Sequence, residues 1–138
     1  MTHVMIVDDN SVVRDVLGSI MRDEGHQTSL AADGTDALQQ CSASLPDVVV
    51  TDIFMPRMDG IDLIRALRRD FPGAKIIAIS AGWKVPNLEV GEDHADRDML
   101  VTARKAGADR TLMKPLDPAR LVAAVADLLS PERARRSA

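Results

Sequence analysis

Short apolar runs alternate with stretches of helical periodicity along this chain, and three of the runs end in charge. Residues 4–7 lead into Asp8-Asp9, residues 48–51 into Asp52, and residues 111–113 into Lys114. Continuously apolar runs of this length are what strands buried on both faces look like, and such strands belong to parallel sheets covered by helices. In an open parallel sheet the carboxyl ends of the strands share one edge, and ligands bind in the crevice there. The pattern therefore gathers three carboxylates and one ammonium, a set suited to a divalent cation and a phosphoryl group.

The rest of the chain fits that frame. Val12, Val13, Val16, Leu17, Ile20 and Met21 recur at helical spacing, and Gly25 stops the helix. Residues 27–31 alternate, as a strand nearer the sheet edge does. Asp33-Gly34 marks a turn and residues 35–44 a second helix. Residues 47–51 predict the third strand and residues 55–60 a loop. Ile61, Ile64, Leu67 and Phe71 give a third helix, closed by Pro72-Gly73. Residues 75–80 read as the fourth strand, residues 81–94 as a long polar connection and residues 96–106 as the fourth helix, with Met99, Leu100 and Ala103 inward. Residues 110–113 follow as a strand. Asp117 caps the last helix and Pro118 fits its first turn. Five strand–helix pairs predict an α/β three-layer sandwich with right-handed crossovers.

Composition agrees. A chain of 138 residues with 46% hydrophobic content makes one domain with a true core. With two Phe, one Trp and no Tyr, that core must be built from Val, Ile, Leu, Ala and Met. The net charge of −4 argues against general binding to nucleic acid or acidic membrane. Cys41 is the single cysteine, which excludes an internal disulfide, and its helical neighbours make it a small buried hydrophobe. No apolar run nears the ~18 residues that span a membrane, and no signal peptide is evident, so the cytoplasm is the expected compartment. His3, His26 and His94 have no metal-site spacing and read as surface residues. Residues 131–138, with Arg133, Arg135 and Arg136, read as a solvated basic tail.

With these pieces in order, the chain resembles the receiver domain of two-component response regulators, and most of all its stand-alone, chemotaxis-type members. The pieces are Asp8-Asp9, Asp52-Ile53-Phe54-Met55-Pro56-Arg57-Met58-Asp59-Gly60, Ser80-Ala81 and Lys114-Pro115, each at a strand end. The likeness runs from Val4 to about Leu129. It implies a flavodoxin-like (βα)5 fold with strand order 2-1-3-4-5, and a receiver domain over residues 1–130. It implies Asp52 as phosphoacceptor, attacking a phosphohistidine on a sensor histidine kinase or phosphotransfer protein. Asp9 would ligate Mg²⁺ directly and Asp8 through water, with Asp52 and the backbone carbonyl of Phe54 as further ligands; Mn²⁺ would substitute. Ser80 would hydrogen-bond a phosphoryl oxygen. Lys114 would pair with the phosphoryl group, and its bond to Pro115 would be cis. Ser80, Ala81, Trp83, Thr111 and Pro115 would form the switch and partner surface.

Physical chemistry supports these roles on its own terms. An ionised carboxylate is a nucleophile without a base. Clustered carboxylates raise one another's pKa, and Mg²⁺ offsets that repulsion. Phosphoryl transfer needs mainly positioning and neutralisation of the equatorial oxygens. Singly, each residue also has a plain structural role: Asp8-Asp9 could cap the first helix, Asp52 and Ser80 could be ordinary loop or strand-end groups, and Lys114 could reach solvent. Asp59-Gly60 reads as loop and helix start.

Three departures from the family pattern stand out. Thr111 occupies the place where many receivers carry an aromatic ring that swings inward on activation. The span from Ser80 to Lys114 is long, with the excess over residues 82–94, including Trp83, and such a loop could serve partner recognition. Phe54 borders the phosphoryl site, where a bulky apolar group limits the approach of hydrolytic water. Other readings are a phosphorelay intermediate, a pseudo-receiver that binds without phosphorylation, and a haloacid dehalogenase-type phosphatase. The last needs a second acid where Phe54 stands. No GxGxxG or P-loop follows the first strand, which argues against a nucleotide-binding protein.

Overall fold

Val7 pairs with Thr51 and Asp52 pairs with Ile79 in one parallel sheet, and that register places the acidic residues on a common edge. The computed structural model describes residues 2–55, 58–79, 92–113 and 116–130, with residues 92–98 by backbone alone. Among them ten elements alternate: β1 (His3–Val7), α1 (Ser11–Asp23), β2 (Gln27–Ala31), α2 (Gly34–Ala43), β3 (Val48–Asp52), α3 (Gly60–Asp70), β4 (Lys75–Ile79), α4 (Glu92–Ala106), β5 (Arg110–Leu112) and α5 (Pro118–Leu129). The strands are parallel in the order β2-β1-β3-β4-β5, the order that the family resemblance implied.

Alternation along the central strands feeds two cores. Met5, Val7, Val49, Ile76 and Ala78 face Ala37 and Cys41 of α2, Leu63, Ile64 and Leu67 of α3, and Leu100 and Ala103 of α4. Val4, Ile6, Val48, Val50, Ile77 and Ile79 face Leu17 and Met21 of α1 and Leu121, Ala124 and Val125 of α5. β1 and β3 are buried along their whole length, and residues 4–7 and 48–50 within them are the apolar runs that predicted buried strands. Each fully buried Leu or Ile contributes roughly 1.5–3 kcal/mol by leaving water. Aliphatic side chains thus carry the fold without an aromatic core.

Four helix starts are set by short polar caps: Asn10, Asp33, Asp59 and Asp117 each accept a backbone N–H of the first turn. Gly25, just past α1, has φ 89°, a left-handed conformation that glycine adopts without strain.

Several expectations need correction. α4 begins at Glu92, so residues 92–94 are helical rather than part of the polar connection; residues 82–91 lie outside the described set. Val12 and Val16, expected on the apolar face of α1, are 69% and 53% exposed. The buried stripe is narrower and runs through Leu17, Gly18 and Met21. His3 is not a surface residue. It sits on β1, a strand flanked on both sides, is 7% exposed, and shares a hydrogen bond with the Ser29 hydroxyl of β2. His26 is half-buried against Thr2, and the His94 side chain lies outside the described set. Cys41 is buried at 2% exposure, as its helical neighbours predicted, and burial raises its pKa. No helix among the described residues is long and apolar enough to cross a membrane.

Candidate functional site

Asp52 is the last residue of β3 and Asp8 the first residue after β1, and both are buried, at 6% and 3% exposure. Asp9 is exposed beside them. One carboxylate oxygen from each of Asp8, Asp9 and Asp52 lies within 4.8 Å of the others. Adjacent strands in register make this cluster, since Val7 and Thr51 are partners and the chain leaves both at the same edge.

Local bonds fix the acids. Asp8 N–H donates to Ala31 O at 3.1 Å, extending the pairing of β1 with β2. Asp8 Oδ1 accepts the Asn10 N–H at 2.9 Å, and Asp8 O accepts Arg14 Nη1 at 2.8 Å. Asn10, not the acid pair, caps α1, so Asp8 and Asp9 are left to the edge.

The Asp52–Ile53 segment is held from two sides. Ile53 N–H donates to Ile79 O at 3.2 Å, and Gly60 N–H donates to Ile53 O at 2.7 Å. A Cβ on Gly60 would stand 2.3 Å from Asp52 O, so only glycine lets α3 start this close to the acid. Phe54 N–H lies 3.4 Å from Asp52 Oδ1, which puts the Phe54 peptide beside the carboxylate, and the Phe54 ring is 48% exposed.

Three carboxylates this close repel one another by roughly 3 kcal/mol per pair at an effective dielectric of about 20. A divalent cation offsets that repulsion. Two oxygens bound about 2.1 Å from one Mg²⁺ lie roughly 3–4 Å apart, and a water-bridged ligand lies farther out. The all-oxygen donor set and the spacing within 4.8 Å therefore fit a hard divalent ion.

Of the other expected site residues, Thr111 is half-buried on β5, in register with Ala78 of β4. Ser80, Ala81, Trp83, Lys114 and Pro115 lie outside the described residues. β4 and β5 run parallel to β3 and end, at Ile79 and Leu112, on the edge that carries Asp52. Sequence reading missed Asn10, Arg14 and the contact of Gly60 with Asp52. An Asn just before a helical pattern was a signal for the first; the other two depend on tertiary approach.

Comparison with known proteins agrees with this geometry. The family model described as response regulator receiver domain matches residues 4–126. The chemotaxis protein CheY of Thermotoga maritima is 36% identical over 124 residues, covering 89% of this chain and 93% of that protein. The DNA-binding response regulator MtrA of Mycobacterium tuberculosis is 35% identical over 123 residues, 89% of this chain and 48% of that protein. The chain thus spans about half the length of the MtrA relatives. The crystal structure of the receiver domain of NtrX from Brucella abortus matches with a TM-score of 0.79 at 28% identity, covering 91% of this chain and 97% of that one. A CheY-like receiver domain protein from Methanospirillum hungatei shares the fold, with a TM-score of 0.81 at 24% identity, covering 99% of this chain and 98% of that one.

Proposed function

The chain belongs to the response regulator receiver domain family, and from that premise we propose that Asp52 accepts a phosphoryl group from a phosphohistidine on a partner kinase or phosphotransfer protein. The observation that carries this reading is the buried Asp52 carboxylate within 4.8 Å of Asp8 and Asp9 at the ligand-binding edge of a parallel sheet.

In the proposed step an Asp52 oxygen attacks phosphorus, the phosphorus–nitrogen bond to the donor histidine breaks, and the imidazole leaves with its electron pair and takes up a proton. Asp9, Asp52 and the Phe54 carbonyl would hold Mg²⁺ directly and Asp8 would hold it through water, with Mn²⁺ as a substitute. The ion supplies charge neutralisation at the phosphoryl oxygens. Ser80 and Lys114, which follow β4 and β5 in the sequence, would contact those oxygens as well. The exposed Val12 and Val16 of α1, the helix that follows Asp8-Asp9, offer an apolar surface for the donor protein.

The receiver domain would act in the cytoplasm. It is a signalling module rather than a metabolic enzyme, catalysing only its own phosphorylation and slow dephosphorylation. The aspartyl phosphate would bias the surface around α4 and β5 toward one of two conformations, read by a separate protein. A phosphorelay role would use the same acids and differ only in the fate of the phosphate.

Calorimetric titration with Mg²⁺ tests the metal half of this reading. The parent should bind the ion, and Asp9→Asn should weaken binding about tenfold or more. Equal affinity in parent and variant contradicts the assignment of Asp9.

A further inference from the structure

At the opposite end of the sheet, one arginine ties four segments together. Arg68, in the last turn of α3, donates from Nε to Gly107 O at 2.7 Å. Its Nη1 donates to Ala74 O at 2.8 Å and Pro72 O at 3.2 Å. Its Nη2 pairs with Asp109. Asp109 Oδ2 also accepts the Ile76 N–H at 2.8 Å, and Asp109 N–H donates to Ile76 O at 2.8 Å. Gly107 has φ 128°, and a Cβ there would stand 2.3 Å from Arg68 Cγ. Both the backbone conformation and the room for Arg68 require glycine at this point. The end of α3, the start of β4, the end of α4 and the approach to β5 thus form one polar clamp.

α4 runs between this clamp and the acidic edge. Its C-terminal end carries Ala103, fully buried, and leads directly into Gly107. At the acidic edge β4, the strand before α4 in the chain, ends at Ile79, which pairs with Asp52 and accepts the Ile53 N–H. A helix of 15 residues spans about 22 Å, so its two ends answer to different sites.

We propose that the Arg68–Asp109 clamp is the fixed end of α4, so that rearrangement linked to Asp52 pivots the helix about Gly107 instead of shifting it whole. The proposal rests on Asp52 being the phosphoacceptor. It assigns Arg68 and Asp109 a positioning role: they confine the change to the half of α4 nearest the acids.

The test is a map of backbone amide shifts on adding Mg²⁺ and beryllofluoride, a phosphoryl mimic, to the full chain. In the parent, the shifts at Asp9, Ile53 and residues 92–101 should exceed those at Gly107 and Ala108 about threefold. In Asp109→Asn, which keeps an oxygen for the Ile76 N–H but loses the charge, the shifts at Gly107 and Ala108 should rise about threefold. Those at Asp9 and Ile53 should stay as in the parent. Arg68→Lys, which keeps the charge and loses the fork, should fall between. Parent-like shifts at Gly107 and Ala108 in both variants, with only a lower melting temperature, overturn the pivot and leave the phosphoacceptor reading standing. Shifts in the parent as large at Gly107 as at residues 92–101 do the same. No shift at Asp9 or Ile53 in the parent overturns the phosphoacceptor reading, and the pivot with it.

Discussion

Gly60 stands where no side chain fits, because a Cβ on it would lie 2.3 Å from the carbonyl oxygen of Asp52. The first residue of α3 is thereby pressed against the residue proposed to carry the chemistry. Gly60→Ala should push α3 or the end of β3 aside and cost ~3 kcal/mol. A urea unfolding series checks this. The variant should also be phosphorylated more slowly, since the Asp52 peptide is the group displaced. Stability and rate equal to the parent would show that the contact is slack.

Asn10 tests whether capping and chemistry are separable at this edge. Its side chain accepts the N–H groups of Val12 and Val13 at 3.0 and 3.2 Å, while its own N–H serves Asp8. Asn10→Ala should lower stability by about 1 kcal/mol. Mg²⁺ affinity should hold, because the Asp8 contact uses backbone. A large loss of Mg²⁺ binding would mean that the cap also orients the acids.

The strand order and the acid cluster were legible in the sequence for different reasons. Residues 4–7 and 48–50 are unbroken apolar runs, so their burial and the position of Asp8, Asp9 and Asp52 just beyond them followed from pattern alone. The order 2-1-3-4-5 came from the family resemblance, since local pattern says nothing about which strands are neighbours. Val12 and Val16 misled because a helical repeat marks a stripe but not its width. His3 misled because composition treats histidine as a surface residue, whereas the flanked position of β1 and the Ser29 hydroxyl make it a buried one. The start of α4 was set four residues late because Glu92 and Asp93 read as loop, although acids suit the first turn of a helix. The Arg68–Asp109 clamp was invisible, because it pairs side chains 41 residues apart and adds bonds to the carbonyls of Gly107, Ala74 and Pro72 that no side-chain pattern reports.

Cys41 should be silent at neutral pH. Burial raises its pKa from 9.0, so the folded chain keeps the thiol neutral where the unfolded chain begins to lose its proton. This contribution to stability is complete below about pH 9 and is lost as pH rises through the folded-state value. A disulfide reagent should label the folded protein roughly a hundredfold or more slowly than the urea-unfolded chain. Equal rates would place the thiol at the surface.

Phe54 should protect the phosphorylated state. Its ring stands half-exposed while its N–H lies beside Asp52 Oδ1. Phe54→Asn replaces the apolar group with one that can orient water. The variant should lose phosphate faster, by roughly fivefold if the barrier falls by about 1 kcal/mol. The decay of the isolated phosphoprotein measures it, and equal or slower decay in the variant removes the shielding role.

Incubation with Mg²⁺ and acetyl phosphate, followed by intact mass measurement of the parent and Asp52→Asn, bears most directly on the central claim. The parent should gain the mass of one phosphoryl group, the gain should disappear when Mg²⁺ is chelated, and Asp52→Asn should gain nothing. A parent that stays unmodified, or an Asp52→Asn chain that gains the same mass, would contradict the assignment of Asp52.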